Sequence, residues 1–219
     1  MSELKSSGGS PAVLTYEERL SADLELAMSE GSRFFAGDSD VHKALRRIAA
    51  RLSELDIPYA VAGGMALVAH GYRRFTDDVD ILVTAEGLER IHEALDGRGF
   101  VRPFAASKNL RETETRVKIE FLVAGQYPGD GREKPVRFPE PAAVRLEREG
   151  IAFLNLPTLV ELKLASGMSG AGRRKDLADV QELVKALDLP RDFGGQLNEY
   201  VRLTYEELYD EVHGPPGAS

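Results

Sequence analysis

Apolar residues recur along the first half of the chain in two rhythms, one helical and one alternating. Between residues 39 and 55, Val41, Leu45, Ile48, Leu52 and Leu55 fall at spacings of 4, 3, 4 and 3, which puts them on one face of a helix. Upstream, Thr15 to Glu18 fits a capping box, and the spacing predicts a helix running to about Glu30. Pro58 closes the long helix and opens a strand. The segment from Ala60 to Val83, AVAGGMALVAHGYRRFTDDVDILV, then reads as strand, Gly-Gly turn, short helix and second strand. Thr84 is placed to cap a further helix carrying Leu88, Ile91 and Leu95, ended by Gly97 and Gly99. A strand is expected near 100–104 and another over 113–123, where Val117, Ile119, Phe121 and Val123 alternate with Lys118, Glu120 and Leu122.

The second half is more helical. Residues 125–150 are rich in Pro and Gly and read as a long loop with short strands. Pro157 suits the first turn of a helix over 157–167, and Gly167 to Gly172 forms a connector. An amphipathic helix follows from Asp176 to Leu187, and 191–213 makes one or two polar helices. The order β-α-β-α-β-β followed by helices predicts an α/β (α+β) fold. It would consist of a small mixed β-sheet core flanked by helices, with a C-terminal helical bundle. The expected divisions are a disordered tail over 1–13, a helical extension over 14–38, the core over 39–155, a helical region over 156–213 and a second disordered tail over 214–219.

Composition removes several classes of protein. At 219 residues there is ample material for a core, and zero cysteines exclude a disulfide scaffold, a thiolate metal site and a thiol nucleophile. The absence of cysteine fits a reducing cytosol. No stretch approaches a membrane span, and MSELKSSGGS lacks the form of a signal peptide, so a soluble cytoplasmic protein with no membrane partner is expected. The net charge of −8 argues against gripping nucleic acid over a broad surface. Local contact remains open through Arg73-Arg74 and Arg173-Arg174-Lys175. The four histidines are scattered, and His70 has no second nitrogen or thiolate ligand nearby, so no zinc site is expected.

The chemistry concentrates in the second strand. Residues i and i+2 of a strand share a face about 6–7 Å apart, so Asp78 and Asp80 point the same way while Val79, Ile81 and Val83 point into the core. Two carboxylates facing one space repel each other and call for a cation, and oxygen-only ligation favours Mg²⁺ or Mn²⁺. Glu120 has the matching parity on its own strand and is the candidate third carboxylate. Gly63 and Gly64 lack Cβ atoms, which lets backbone N–H groups of a strand-to-helix turn approach phosphate oxygens. Arg74 and Thr76, just before the acidic strand, are further candidates for contact with a triphosphate. The alternative reading of this segment is an acidic turn, TDDVD, opening a solvated strand, with Glu120 an ordinary exposed residue.

Ala62-Gly63-Gly64, thirteen residues and then Asp78-Val79-Asp80-Ile81 resemble the signature of nucleotidyltransferases of the polymerase-beta type. The later segments LPTLVELKLASGM and RRKDLADVQELV resemble the C-terminal motifs of AbiEii-type nucleotidyltransferases, the toxins of type IV toxin–antitoxin systems. That resemblance implies a nucleotide site completed by Lys163 and by either Asp176 or Asp179. Lys163 sits in an apolar run, where it either reaches a partner or extends along its own stem to solvent. A turn of 100° per residue places Asp176 inside the apolar stripe of its helix, between Leu183 and Leu187, with Asp179 at the edge. What the resemblance implies is transfer of a nucleoside monophosphate from an NTP to an acceptor hydroxyl, with a tRNA end as acceptor and an antitoxin as protein partner. Two other expectations stay open: an antibiotic or other small hydroxyl acceptor, and a catalytically silent nucleotide-binding module.

Overall fold

The structure is a computed structural model and describes residues 13–214, so apart from Val13 and Gly214 the expected tails lie outside the described residues. Thr15 caps α1 (Tyr16–Ala22) with the reciprocal Glu18 contact of a capping box. The helix expected to run to Glu30 is two helices. Asp23 adopts an extended conformation, closes α1, and accepts from Leu26 N to cap α2 (Leu24–Phe35). One short side chain at a cap position ends one helix and starts the next, which apolar spacing does not reveal.

Ser39 caps α3 (Asp40–Glu54), whose Val41, Leu45, Ile48 and Leu52 are buried as their spacing requires. There follow β1 (Tyr59–Val61), α4 (Gly63–Ala69), β2 (Asp78–Val83) and α5 (Ala85–Leu95), the last capped by Thr84. The strand expected over 100–104 is only β3 (Phe100–Val101). The strand expected over 113–123 is a turn followed by β5 (Lys118–Val123), and a short strand β4 (Leu110–Glu112) precedes it. Buried Glu112 builds that turn by accepting from Glu114 N at 3.1 Å, from Thr115 N and Oγ1 at 2.7 Å, and from Arg47 Nη1 at 2.8 Å. The backbone there is bonded to a carboxylate and is unavailable to a sheet neighbour.

Beyond a loop come α6 (Pro141–Val144), β6 (Arg145–Arg148) and β7 (Ile151–Leu154). Helices α7 (Leu156–Gly167), α8 (Arg174–Leu187) and α9 (Glu199–His213) complete the described residues, with short 3₁₀ turns before α8 and α9. Among the described residues seven strands form one mixed sheet in the order β3-β4-β5-β2-β1-β7-β6. Its centre positions the site: β2 lies antiparallel to β1 and parallel to β5, in a register that sets Asp78 opposite Lys118 and Asp80 opposite Glu120. The opposite face of both strands is apolar, with Val79, Ile81, Ile119 and Phe121 fully buried in the main core. Among the described residues no helix is long and apolar enough to cross a membrane.

Candidate functional site

Parity and register together bring three acids to one point. Asp78, Asp80 and Glu120 each offer a carboxylate oxygen, and these lie within 4.8 Å of one another. All three are half-buried. Burial raises the Asp80 pKa to about 7, and the charges of Asp78 and Glu120 add to the effect. Burial likewise raises Asp78, against a hydrogen bond from Thr76, with further upward push from Asp77 and Glu120. Three hard oxygen donors and no nitrogen or sulfur fit Mg²⁺ or Mn²⁺.

The Gly-Gly turn is shaped by these acids. Gly63 has φ of +55°, and a Cβ there would collide with the Asp80 carboxylate. A Cβ on Gly64 would come within 2.7 Å of Thr76 Cβ. The backbone of Ala62 donates to Asp80 O at 2.8 Å, which ties the turn to the acidic strand. The turn therefore lies directly against the carboxylates.

The other site residues are joined in one charged network. Arg74 donates from Nε and Nη2 to the two oxygens of Asp179, at 2.7 and 2.9 Å. Lys163 Nζ donates to Asp179 Oδ2 at 2.7 Å and to Asp176 Oδ1 at 3.0 Å. Ser166 Oγ donates to the second oxygen of Asp176 at 2.7 Å. Lys163 is 7% exposed, so it reaches protein partners and does not extend to solvent.

One expectation from the sequence is corrected here. Helical spacing put Asp176 inside and Asp179 at the edge, but Asp179 is 3% exposed whereas the Asp176 side chain is 22% exposed. Two cations, Arg74 and Lys163, draw Asp179 inward, and ion pairing overrides the stripe. Thr76, a candidate for contact with a triphosphate, lines the cavity, and its hydroxyl donates to Asp78 Oδ1 at 2.7 Å.

A cavity of about 560 Å³ connects these groups. It is lined by Gly63, Gly64, Arg74, Thr76, Asp78, Asp80, Glu120, Lys163 and Asp176, while Asp179 stays behind its wall. α7 presents Leu159, Leu162, Lys163 and Ser166 to it at helical spacing. Sequence reasoning missed Asp77, Lys108, Tyr127 and Asp130, which also line it, and Asn109, whose Oδ1 accepts from Phe121 N at 3.1 Å. Of the two basic clusters, Arg74, Arg173 and Lys175 line the cavity.

No family model matches the sequence, and no curated protein does either. Among solved structures the chain is similar to ANT(2″)-Ia in complex with adenylyl-2″-tobramycin, with a TM-score of 0.50 and 13% identity over 76% of this chain and 97% of that one. It is also similar to an antigenic nucleotidyltransferase-like protein from Paracoccidioides brasiliensis, with a TM-score of 0.47 and 15% identity over 77% and 86% of the two chains. JHP933 from Helicobacter pylori gives a TM-score of 0.44 and 16% identity over 79% and 90%. The first of these likenesses establishes the fold: the chain has the mixed α/β fold of ANT(2″)-Ia.

Proposed function

We propose that this chain transfers a nucleoside monophosphate from an NTP to an acceptor hydroxyl, releasing pyrophosphate. The observation that carries the reading is the convergence of Asp78, Asp80 and Glu120 within 4.8 Å, against Gly63 and in one cavity with Lys163. In the reaction the acceptor oxygen bonds to the α-phosphorus, the bond from that phosphorus to pyrophosphate breaks, and the hydroxyl proton passes to Glu120 acting as base or to water.

Asp78, Asp80 and Glu120 would hold Mg²⁺ or Mn²⁺, which when bound neutralises phosphate charge and favours the ionised acceptor oxygen. Thr76 orients Asp78 through its hydroxyl. Gly63 and Gly64, which lack a Cβ and pack against the side chains of Asp80 and Thr76, would bring their backbone and a bound phosphate close to the carboxylates. Lys163 supplies positive charge inside the cavity, with Asp176 accepting from its ammonium and Ser166 holding the other Asp176 oxygen. Asp179 acts from behind, holding Lys163 and Arg74 in place. The chain's own contribution is positioning and charge, with no covalent intermediate.

For the acceptor, the proposed reading is an RNA end, as in a toxin-type enzyme of the AbiEii kind. Exposed Lys108, Arg173 and Lys175 on the cavity wall support a polyanion, despite the net charge of −8. A toxin of this kind would require a neutralising antitoxin. A cationic aminoglycoside is the second reading, favoured by Asp77 and Asp130 in the same lining. The test is radiolabel transfer from each NTP with Mg²⁺ into tRNA, protein and aminoglycosides. Label should enter one acceptor class only, and activity that survives Asp80→Ala would remove the mechanism.

A further inference from the structure

The parallel pairing of β2 with β5 creates a square of four charged side chains on one sheet face. Asp78 stands opposite Lys118 and Asp80 opposite Glu120. Three corners are acidic and one is basic. Lys118 Nζ lies 3.1 Å from Glu120 Oε1, and this is its one ion pair among the described residues. The same Glu120 oxygen is approached by Asn109 Nδ2 at 3.5 Å. The Lys118 and Glu120 side chains are 31% and 33% exposed, so the pair is neither locked in the core nor fully in solvent. Lys118 does not line the cavity, which Glu120 does, so the ammonium reaches the carboxylate from outside it.

A cation of the protein's own therefore already contacts one of the three carboxylates proposed to hold metal. A metal drawing on Glu120 must displace this contact or share the oxygen, and in either case it meets a like charge a few ångströms away. Resting on the metal-dependent reading above, we propose that Lys118 is the resident counter-cation of the carboxylate cluster. It competes with the divalent metal for Glu120 and sets the metal affinity of the nucleotide-free chain below that of three carboxylates alone. Removing its charge should tighten metal binding, whereas a residue that merely supports the strand would loosen the site when truncated.

The experiment is Mn²⁺ titration of the nucleotide-free full chain, followed by the electron paramagnetic resonance signal of unbound Mn²⁺, for wild type, Lys118→Met, Lys118→Arg and Asp80→Asn. Lys118→Met should bind Mn²⁺ about tenfold more tightly or better, since site charge governs the affinity of oxygen-ligand metal sites. Lys118→Arg keeps the charge and should stay within about twofold of wild type. Lys118→Gln repeats the measurement should the Met variant fail to fold. Unchanged or weaker binding in Lys118→Met, with clear binding in wild type, overturns the role of Lys118 and leaves the transferase reading standing. Equal tightening in Lys118→Arg overturns it as well, because charge would then not be the cause. A wild type indistinguishable from Asp80→Asn removes the metal site itself, and the inference with it.

Discussion

Replacing Asp80 by Asn should stabilise the metal-free protein at neutral pH and lose that advantage in acid. Burial, reinforced by Asp78 and Glu120, raises the Asp80 pKa from 3.8 to about 7. The sign follows from linkage. Below pH 3.8 the acid is protonated in both folded and unfolded chains and has no effect. Between 3.8 and 7 the unfolded chain releases a proton that the folded chain retains, so stability falls as pH rises. Above 7 the deficit is complete. At about 1.4 kcal/mol per tenfold in proton affinity, the ceiling is roughly 4 kcal/mol. The three acids share their charge, and Asn must still fit beside Gly63, so a gain of about 1–3 kcal/mol is expected. For a chain of this length, each ~1 kcal/mol moves the melting temperature by about 2–4 °C. The assay is thermal or urea unfolding of wild type and Asp80→Asn in chelator, at pH 8 and pH 4.5. The gap should shrink to about a quarter at the lower pH. Added Mg²⁺ should stabilise wild type alone. A variant less stable than wild type at pH 8, or an equal gap at both pH values, would refute the electrostatic account of this cluster.

Gly63→Ala should cost about 2 kcal/mol or more and weaken Mn²⁺ binding together with it, because its new Cβ meets the Asp80 carboxylate in a left-handed backbone; unfolding and metal titration on one preparation check both. Asp179→Ala leaves Arg74 without its carboxylate and Lys163 with Asp176 alone, and should lower stability by about 3–5 kcal/mol, whereas Asp176→Ala, more exposed, should cost about 1 kcal/mol and act mainly on transfer rate. Equal losses in urea unfolding would contradict that division. Burial alone would raise the Glu112 pKa, but hydrogen bonds from Thr115, Glu114 and Arg47 outweigh it and hold it low. Its contribution is therefore present above pH 4.5 and fades as pH falls through the lowered value. Glu112→Gln should cost about 1–3 kcal/mol at pH 7, narrowing in acid, as read by denaturation at both pH values.

Periodicity and cap chemistry made much of this molecule legible in advance. The stripe of α3, the Gly-Gly turn, the acidic strand and the parity of Glu120 all follow from side-chain direction within one element, which a helix or strand imposes locally. The break at Asp23 and the turn around Glu112 were not legible, since each depends on one side chain bonding backbone that an apolar pattern leaves undescribed. The helix stripe also misplaced Asp176 and Asp179. Arg74, which pulls Asp179 inward, lies 105 residues away in sequence.

What the sequence alone determined is which face each acid occupies and that a glycine turn precedes them. Only the tertiary structure decided that β2 and β5 pair in parallel with Asp80 opposite Glu120, that Lys118 contacts the cluster, and that Arg74 and Lys163 share Asp179. The division has a physical origin. Direction within an element is set by backbone geometry over a few residues, whereas register between elements is set by packing and charge among residues far apart in the chain.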